Sequence, residues 1–180
     1  LIDYVVLVMP RIDADEAGKD WLDKYEIVRE VVVGGEQRQD SVYNGFNSLE
    51  ESTEIVVVHD GVRPFTTPQM IAATVEEAGQ HGAAITAIPV SDTIKQAADG
   101  FVERTVPRDG LWRVQTPQAF QYDLLQKAFK KAKEDSYYGT DEGALIEYLG
   151  KRVKIVSGSE LNIKITRKED LILGESLLQE

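Results

Sequence analysis

Residues 55–89 read IVVVHDGVRPFTTPQMIAATVEEAGQHGAAITAIP, and their pattern decides the fold class. The run 55–59 is β-branched and continuous, as expected of a strand covered by helices on both faces. Thr67 then offers a capping hydroxyl and Pro68 fills the first helical position, so 68–80 is expected to be a helix. A second apolar strand, 83–89, follows. Strand, helix and strand in that order form a βαβ unit.

The same alternation extends in both directions. Residues 4–9, 27–33 and 153–156 are further strand-like runs, and 14–25, 39–50, 122–134 and 141–149 carry helical spacing. Gly139-Thr140-Asp141 supplies a cap and an early negative charge for the last of these helices. Residues 170–178 suit a closing helix, and 162–166 alternate like a strand. The expected architecture is α/β, a doubly wound, mainly parallel, Rossmann-like sheet with ligands at the carboxyl ends of the strands. Residues 91–108 break the pattern with two extended arms around Asp99-Gly100, a dipeptide suited to a tight turn. They are expected to project as an antiparallel β-arm.

At 180 residues and 42% hydrophobic content, one domain over 1–180 is expected. No apolar run approaches the roughly 20 residues of a membrane span, so no membrane partner is expected. The chain has no cysteine, which fits a cytoplasmic location. It begins at Leu1 rather than Met, so a leader is left open. A net charge of -11 argues against nucleic-acid binding, which needs a basic patch. Arg38, Arg63, Lys95, Arg104, Arg108, Arg113 and Lys164 nonetheless fall in or beside the unusual segments, which suggests a local site for a small anion.

Gly34-Gly35-Glu36-Gln37-Arg38-Gln39-Asp40-Ser41 follows a strand and opens a helix. It reads equally as an anion or base-edge site at a helix start and as an ordinary turn capped by Asp40 or Ser41. Asp60 comes directly off a strand end, three residues before Arg63. There a carboxylate can hold a ribose hydroxyl or a phosphate-bound magnesium ion, and Arg63 can fork onto a phosphate. A solvated Asp–Arg pair is the plainer reading. His59 reads as a satisfied structural residue. With His81 as the sole other histidine, no histidine triad or histidine-rich metal site can be assembled. Thr93 and Lys95 on one arm and Arg104 and Arg108 on the other can face one pocket or merely keep the arm soluble. Thr116-Pro117-Gln118 is expected to start a helix.

Taken together and in order, these segments resemble the 2-C-methyl-D-erythritol 4-phosphate cytidylyltransferase family of the non-mevalonate isoprenoid pathway. The resemblance rests on Gly34-Gly35 with Arg38 and Ser41, His59 to Pro64, Asp92 to Lys95, Leu111-Trp112 before Thr116-Pro117-Gln118, Thr140-Asp141-Glu142, and Asn162-Ile163-Lys164. It implies that Gly35, Glu36 and Ser41 meet the cytosine of CTP, and that Asp60 and Gly61 border the ribose and reacting phosphates. Arg63, Thr93, Arg108, Thr116, Thr140 and Lys164 would hold methylerythritol phosphate. Asp60 would also be the metal ligand and Lys164 the cation at the reacting phosphate, with magnesium or another divalent cation on the triphosphate. The arm would reach into a neighbouring subunit of a homodimer, so that Thr93 and Arg108 act across it.

Two departures stand out. Glu36 occupies a position where the family often has Asp. The family's first strand and glycine-rich loop have no counterpart after Leu1, so the resemblance implies an incomplete front end. A ribitol 5-phosphate cytidylyltransferase and a non-catalytic nucleotide-binding module are the alternative readings.

Overall fold

The computed structural model describes residues 2–11, 14 and 21–178. Strands β1 (Val5–Met9), β2 (Val28–Val33), β3 (Ile55–Val58), β4 (Ala83–Pro89), β5 (Ile94–Ala98), β6 (Phe101–Val106), β7 (Trp112–Gln121) and β8 (Lys154–Ser157) are joined by turns and helices. The helices are α1 (Arg38–Phe46), α2 (Pro68–His81), α3 (Tyr122–Glu134), α4 (Glu142–Tyr148) and α5 (Lys168–Leu177). Within the helix expected over 14–25, residues 15–20 lie outside the described residues, while 21–24 are helical.

The unit 55–89 forms as its sequence directs. Thr67 Oγ1 accepts the Met70 amide at 3.2 Å and Pro68 opens α2. Ala83 to Ile88 of β4 are all buried, as a strand covered on both faces requires. Between β4 and α2, the Thr74 and Thr86 hydroxyls meet at 3.1 Å, and Thr74 donates to the Met70 carbonyl at 2.7 Å.

The larger sheet has the order β3-β7-β4-β8. Strand β7 runs antiparallel to both β3 and β4, whereas β4 and β8 are parallel. Strands β1 and β2 form a separate parallel pair. The α/β fold is therefore the expected one, with mixed strand pairing.

That pairing corrects one expectation. Thr116-Pro117-Gln118 starts no helix and lies inside β7, with a cis Thr116–Pro117 bond. A proline in a central strand costs a ladder hydrogen bond, which argues against reading a strand there. The ladder with β4 shifts between Ile85 and Ala87, so Pro117 falls at an irregularity where no regular partner is required. Residues 162–166 also differ from expectation. They form no strand and are tied down by isolated bonds, including the Ile165 amide to the Val62 carbonyl at 2.8 Å.

The arm is the antiparallel pair β5–β6. Asp99 and Gly100 turn it with φ of 50° and 82°, the left-handed conformations that an Asp-Gly hairpin turn uses.

Helix α3 buries Leu125, Ala128, Phe129 and Ala132, a spacing of three and four that places them on one face. They pack with Phe46, Phe120, Leu145 and Ile146, and the Phe46 ring stacks on Tyr122 at 4.7 Å. Leu125 is fully buried. Leu125→Ala is expected to cost about 2–5 kcal/mol in denaturant unfolding. At exposed Lys127 on the same helix, Lys127→Ala should stay within about 0.5 kcal/mol of the parent. Equal effects at the two positions would show that this face is not the core.

Candidate active site

Asp60 leaves the carboxyl end of β3 with its side chain 15% exposed, and cations from separate parts of the chain converge on it. Lys164 Nζ lies 3.0 Å from Oδ2, and Arg38 Nε and Nη2 each lie 3.4 Å from Oδ1. Arg63 Nε is 3.7 Å from Oδ2. Burial alone would raise the Asp60 carboxyl. The hydrogen bond from Lys164 and the charges of Arg38, Lys164 and Arg63 outweigh it and hold the carboxyl below its ordinary value.

Arg38 serves two carboxylates. Its Nη1 donates to both oxygens of Glu142 at 2.9 Å. Glu142 is 1% exposed, and its pKa stands above the usual carboxylate range because burial outweighs the pull of Arg38. Arg38 begins α1 and Glu142 begins α4, so the bridge fixes two helix starts beside Asp60.

Lys164 sits on an irregular segment pinned on both sides. Before it, Asn162 Nδ2 donates to the Thr116 carbonyl at 2.9 Å, and the Asn162 carbonyl accepts from Arg63 Nη1 at 2.8 Å. Gln115 Nε2 holds the Ser159 carbonyl at 2.8 Å. After it comes the bond from Ile165 to Val62. The register irregularity in β7 is adjacent to Gln115 and Thr116, which together organise this segment.

A cavity of about 390 Å³ opens over the cluster. Its wall includes Arg38, Asp60, Arg63, Thr116, Thr140 and Lys164. Thr140 is exposed, and Asp141 rather than Thr140 caps α4, accepting the Ala144 amide at 2.9 Å. Gln118 Nε2 bonds Asp141 at 2.8 Å and so ties β7 to that helix start.

Of the residues singled out in the sequence, Asp60, Arg63, Thr116, Thr140 and Lys164 thus line one cavity. Gly61 is exposed in the loop beyond Asp60. Thr93 and Arg108 lie outside the cavity wall at the base of the arm, where the Arg108 guanidinium donates to the Ser91 carbonyl. Gly35, Glu36 and Ser41 are grouped at the start of α1. There Ser41 Oγ accepts the Gly35 amide and donates to the Gln37 carbonyl, both at 3.0 Å. Gln37 is the N-cap, in place of the expected Asp40 or Ser41, and Asp40 accepts the Gln37 amide at 3.1 Å. A Cβ on Gly35 would lie 2.3 Å from that of Asp40, so only glycine allows this approach.

Sequence reasoning counted Arg38 among the cations of an anion site but gave it no partner, and it gave Glu142, Gln118 and Asn162 no role of their own. All four lie within motifs it quoted, but opposite charges 104 residues apart carry no signal that pairs them. Asn162 is fully buried, which its polar side chain does not announce.

The depressed Asp60 carboxyl has a defined consequence for stability. Its contribution is fully present above the ordinary aspartate range, about pH 4, and is lost as pH falls through the lower folded value. Asp60→Asn should therefore flatten the acid limb of unfolding free energy against pH. An acid limb identical to that of the parent would mean that the cations do not hold this carboxylate.

The family model described as IspD, 2-C-methyl-D-erythritol 4-phosphate cytidylyltransferase, matches residues 1–180. The chain is 46% identical over 182 residues to the protein of that name from Syntrophus aciditrophicus, covering 99% of this chain and 78% of the relative. The namesake from Pelotomaculum thermopropionicum is 53% identical over 153 residues, 84% of this chain and 64% of the relative. Among solved structures, 4-diphosphocytidyl-2C-methyl-D-erythritol synthase from Anaerococcus prevotii superposes with a TM-score of 0.88 at 36% identity, covering 99% of this chain and 79% of that one. With its Asp60 site and these relatives, the chain belongs to the 2-C-methyl-D-erythritol 4-phosphate cytidylyltransferase family.

Proposed function

We propose that the protein transfers CMP from CTP to 2-C-methyl-D-erythritol 4-phosphate, releasing pyrophosphate. The observation that carries this reading is the meeting of Lys164, Arg38 and Arg63 on the Asp60 carboxylate at an open cavity. Such a cluster can exchange part of its internal pairing for the oxygens of two phosphorylated substrates.

The acceptor phosphate is already an anion, so its oxygen attacks the α-phosphorus of CTP with no proton to remove. A new P–O bond forms as the bond to the β-phosphate bridging oxygen breaks, and pyrophosphate carries away the electron pair. Catalysis then rests on holding two polyanions in line and stabilising charge at the five-coordinate phosphorus. Lys164, with its side chain 41% exposed, is placed to turn from Asp60 to the reacting phosphate. Arg63, Thr116 and Thr140 share its cavity and serve the acceptor. Gly35, Glu36 and Ser41 serve the cytosine, while Asp60 and Gly61 serve the ribose and phosphates.

Magnesium fits this donor set as a substrate-borne ion. Among the described residues no group of three His, Asp or Glu side chains could cage a metal. Asp60, Asp141 and Glu147 all line the cavity but do not converge as a cage, a sparse protein contribution that suits an ion bound mainly by phosphates. When bound, magnesium would neutralise triphosphate charge.

Thr93 and Arg108 stand apart from the cavity of their own chain, which supports their donation to a partner's site in a homodimer. Phe101 and Val102 on the arm are 78% and 62% exposed, apolar surface suited to a partner subunit. We assign 1–180 to one domain with 91–108 as this arm, working in the cytoplasm. Among the described residues no helix is long and apolar enough to cross a membrane.

Lys164→Ala is expected to lower turnover at least about tenfold, the effect of one lost charged contact. Unchanged turnover would remove Lys164 from the chemistry. Pyrophosphate release with CTP and methylerythritol phosphate, but not with ribitol 5-phosphate, would support the substrate assignment. The reverse preference would overturn it, and silence with both would favour a binding module.

A further inference from the structure

Four groups form a closed hydrogen-bonded circuit around the turn that follows β3. The Asp60 amide donates to Thr116 Oγ1 at 3.1 Å. Thr116 Oγ1 lies 3.0 Å from His59 Nδ1, and His59 Nε2 lies 3.1 Å from the Arg63 carbonyl oxygen. The circuit closes through the Arg63 amide, which donates to the Asp60 carbonyl at 3.0 Å.

Its proton positions follow from its two fixed ends. A backbone amide can only donate, so Thr116 Oγ1 accepts from Asp60. A backbone carbonyl can only accept, so His59 Nε2 carries a proton and donates to Arg63. In a neutral ring Nδ1 is then bare, and the single proton of Thr116 goes to it. Asp60 and Arg63, whose side chains meet in the charged cluster, thus have their backbones braced by one imidazole and one hydroxyl.

We infer that His59 is a positioning residue that, through Thr116, sets the backbone bearing Asp60 and Arg63 and commits the Thr116 proton away from the substrate. Thr116 is 3% exposed and forms part of the cavity wall. With its proton given to His59, it offers a substrate only a lone pair. It therefore receives a hydrogen bond from a substrate hydroxyl and offers none to a phosphate oxygen. The kinetic part of this inference rests on the cytidylyltransferase reading.

The first test needs no activity. Two-bond proton–nitrogen spectra of the 15N-labelled protein, compared with those of His59→Asn and His81→Asn, isolate the signals of the His59 ring. A protonated Nε2 and a bare Nδ1 are expected, and the opposite tautomer overturns the inference.

In the second test, His59→Leu and Thr116→Val should each lower kcat/KM for methylerythritol phosphate at least about tenfold. His59→Asn, whose amide can still accept from Thr116, should recover much of the loss. The double variant should be no worse than the worse single variant by more than about threefold, because the two side chains share one network. Fully multiplied losses, or normal kinetic constants with only a lower Tm in His59→Leu, would overturn the inference. Thr116→Val tests the same link should His59→Leu fail to fold. A parent enzyme silent with both substrates would instead defeat the functional reading, leaving the tautomer to its own spectrum.

Discussion

The carboxylate of Asp60 takes Lys164 from the C-terminal segment, Arg38 from the start of α1 and Arg63 from its own loop, and the candidate site depends on that convergence. A carboxylate withdrawn from water needs compensating charge, and here the compensation comes from residues as far apart in sequence as 38 and 164. Each contributing segment must therefore be docked before the cluster exists. The cluster also explains how cationic side chains can stand together. Asp60 and Glu142 offset the repulsion among Arg38, Arg63 and Lys164.

The larger sheet makes this docking possible through β7. Because β7 runs antiparallel between β3 and β4, its residues 115–118 pass beside the carboxyl end of β3, where Val58 faces Gln118. The irregularity at Pro117 interrupts regular pairing at that point. The polar side chains around it then bond sideways. Gln115 holds the loop at Ser159, Thr116 holds the Asp60 amide, and Gln118 holds the start of α4. A regular ladder would have paired the backbone carbonyls of this stretch, whereas here the Thr116 carbonyl accepts from Asn162 Nδ2 and so holds the segment that carries Lys164.

The legible parts of the sequence are those governed by local periodicity. Residues 122–134 and 83–89 form the helix and strand their spacing indicates, because one-sided or two-sided burial imposes a recurring apolar pattern. Asp99-Gly100 announces its turn through backbone conformation alone. What stayed hidden depends on tertiary context. Strand β7 hides behind Thr116, Pro117 and Gln118, which read as a helix start until β3 and β4 flank them. The alternation of 162–166 resembles a strand, yet its backbone bonds go one at a time to Val62, Ser159 and the Arg63 side chain. For the site, the Asp60–Arg63 pair was legible from its spacing of three, whereas the arrival of Lys164 and Arg38 on the same carboxylate was not.

The overall charge of -11 and a site for polyanions are compatible because the two act over different distances. At physiological ionic strength the field of the acidic surface is screened within about 8 Å, so it exerts little force on a distant triphosphate. Inside the cavity, Arg38, Arg63 and Lys164 stand among Asp60, Asp141 and Glu147, and screening by water and salt is weaker, so a bound anion acts by drawing these cations from their carboxylate partners. An extended nucleic acid would have to lie across the acidic surface as well as the site and would be repelled along its length. A small phosphorylated molecule meets only the cluster. The net charge therefore weighs against a long polyanion, while the exchangeable cations of the cluster remain open to a compact one.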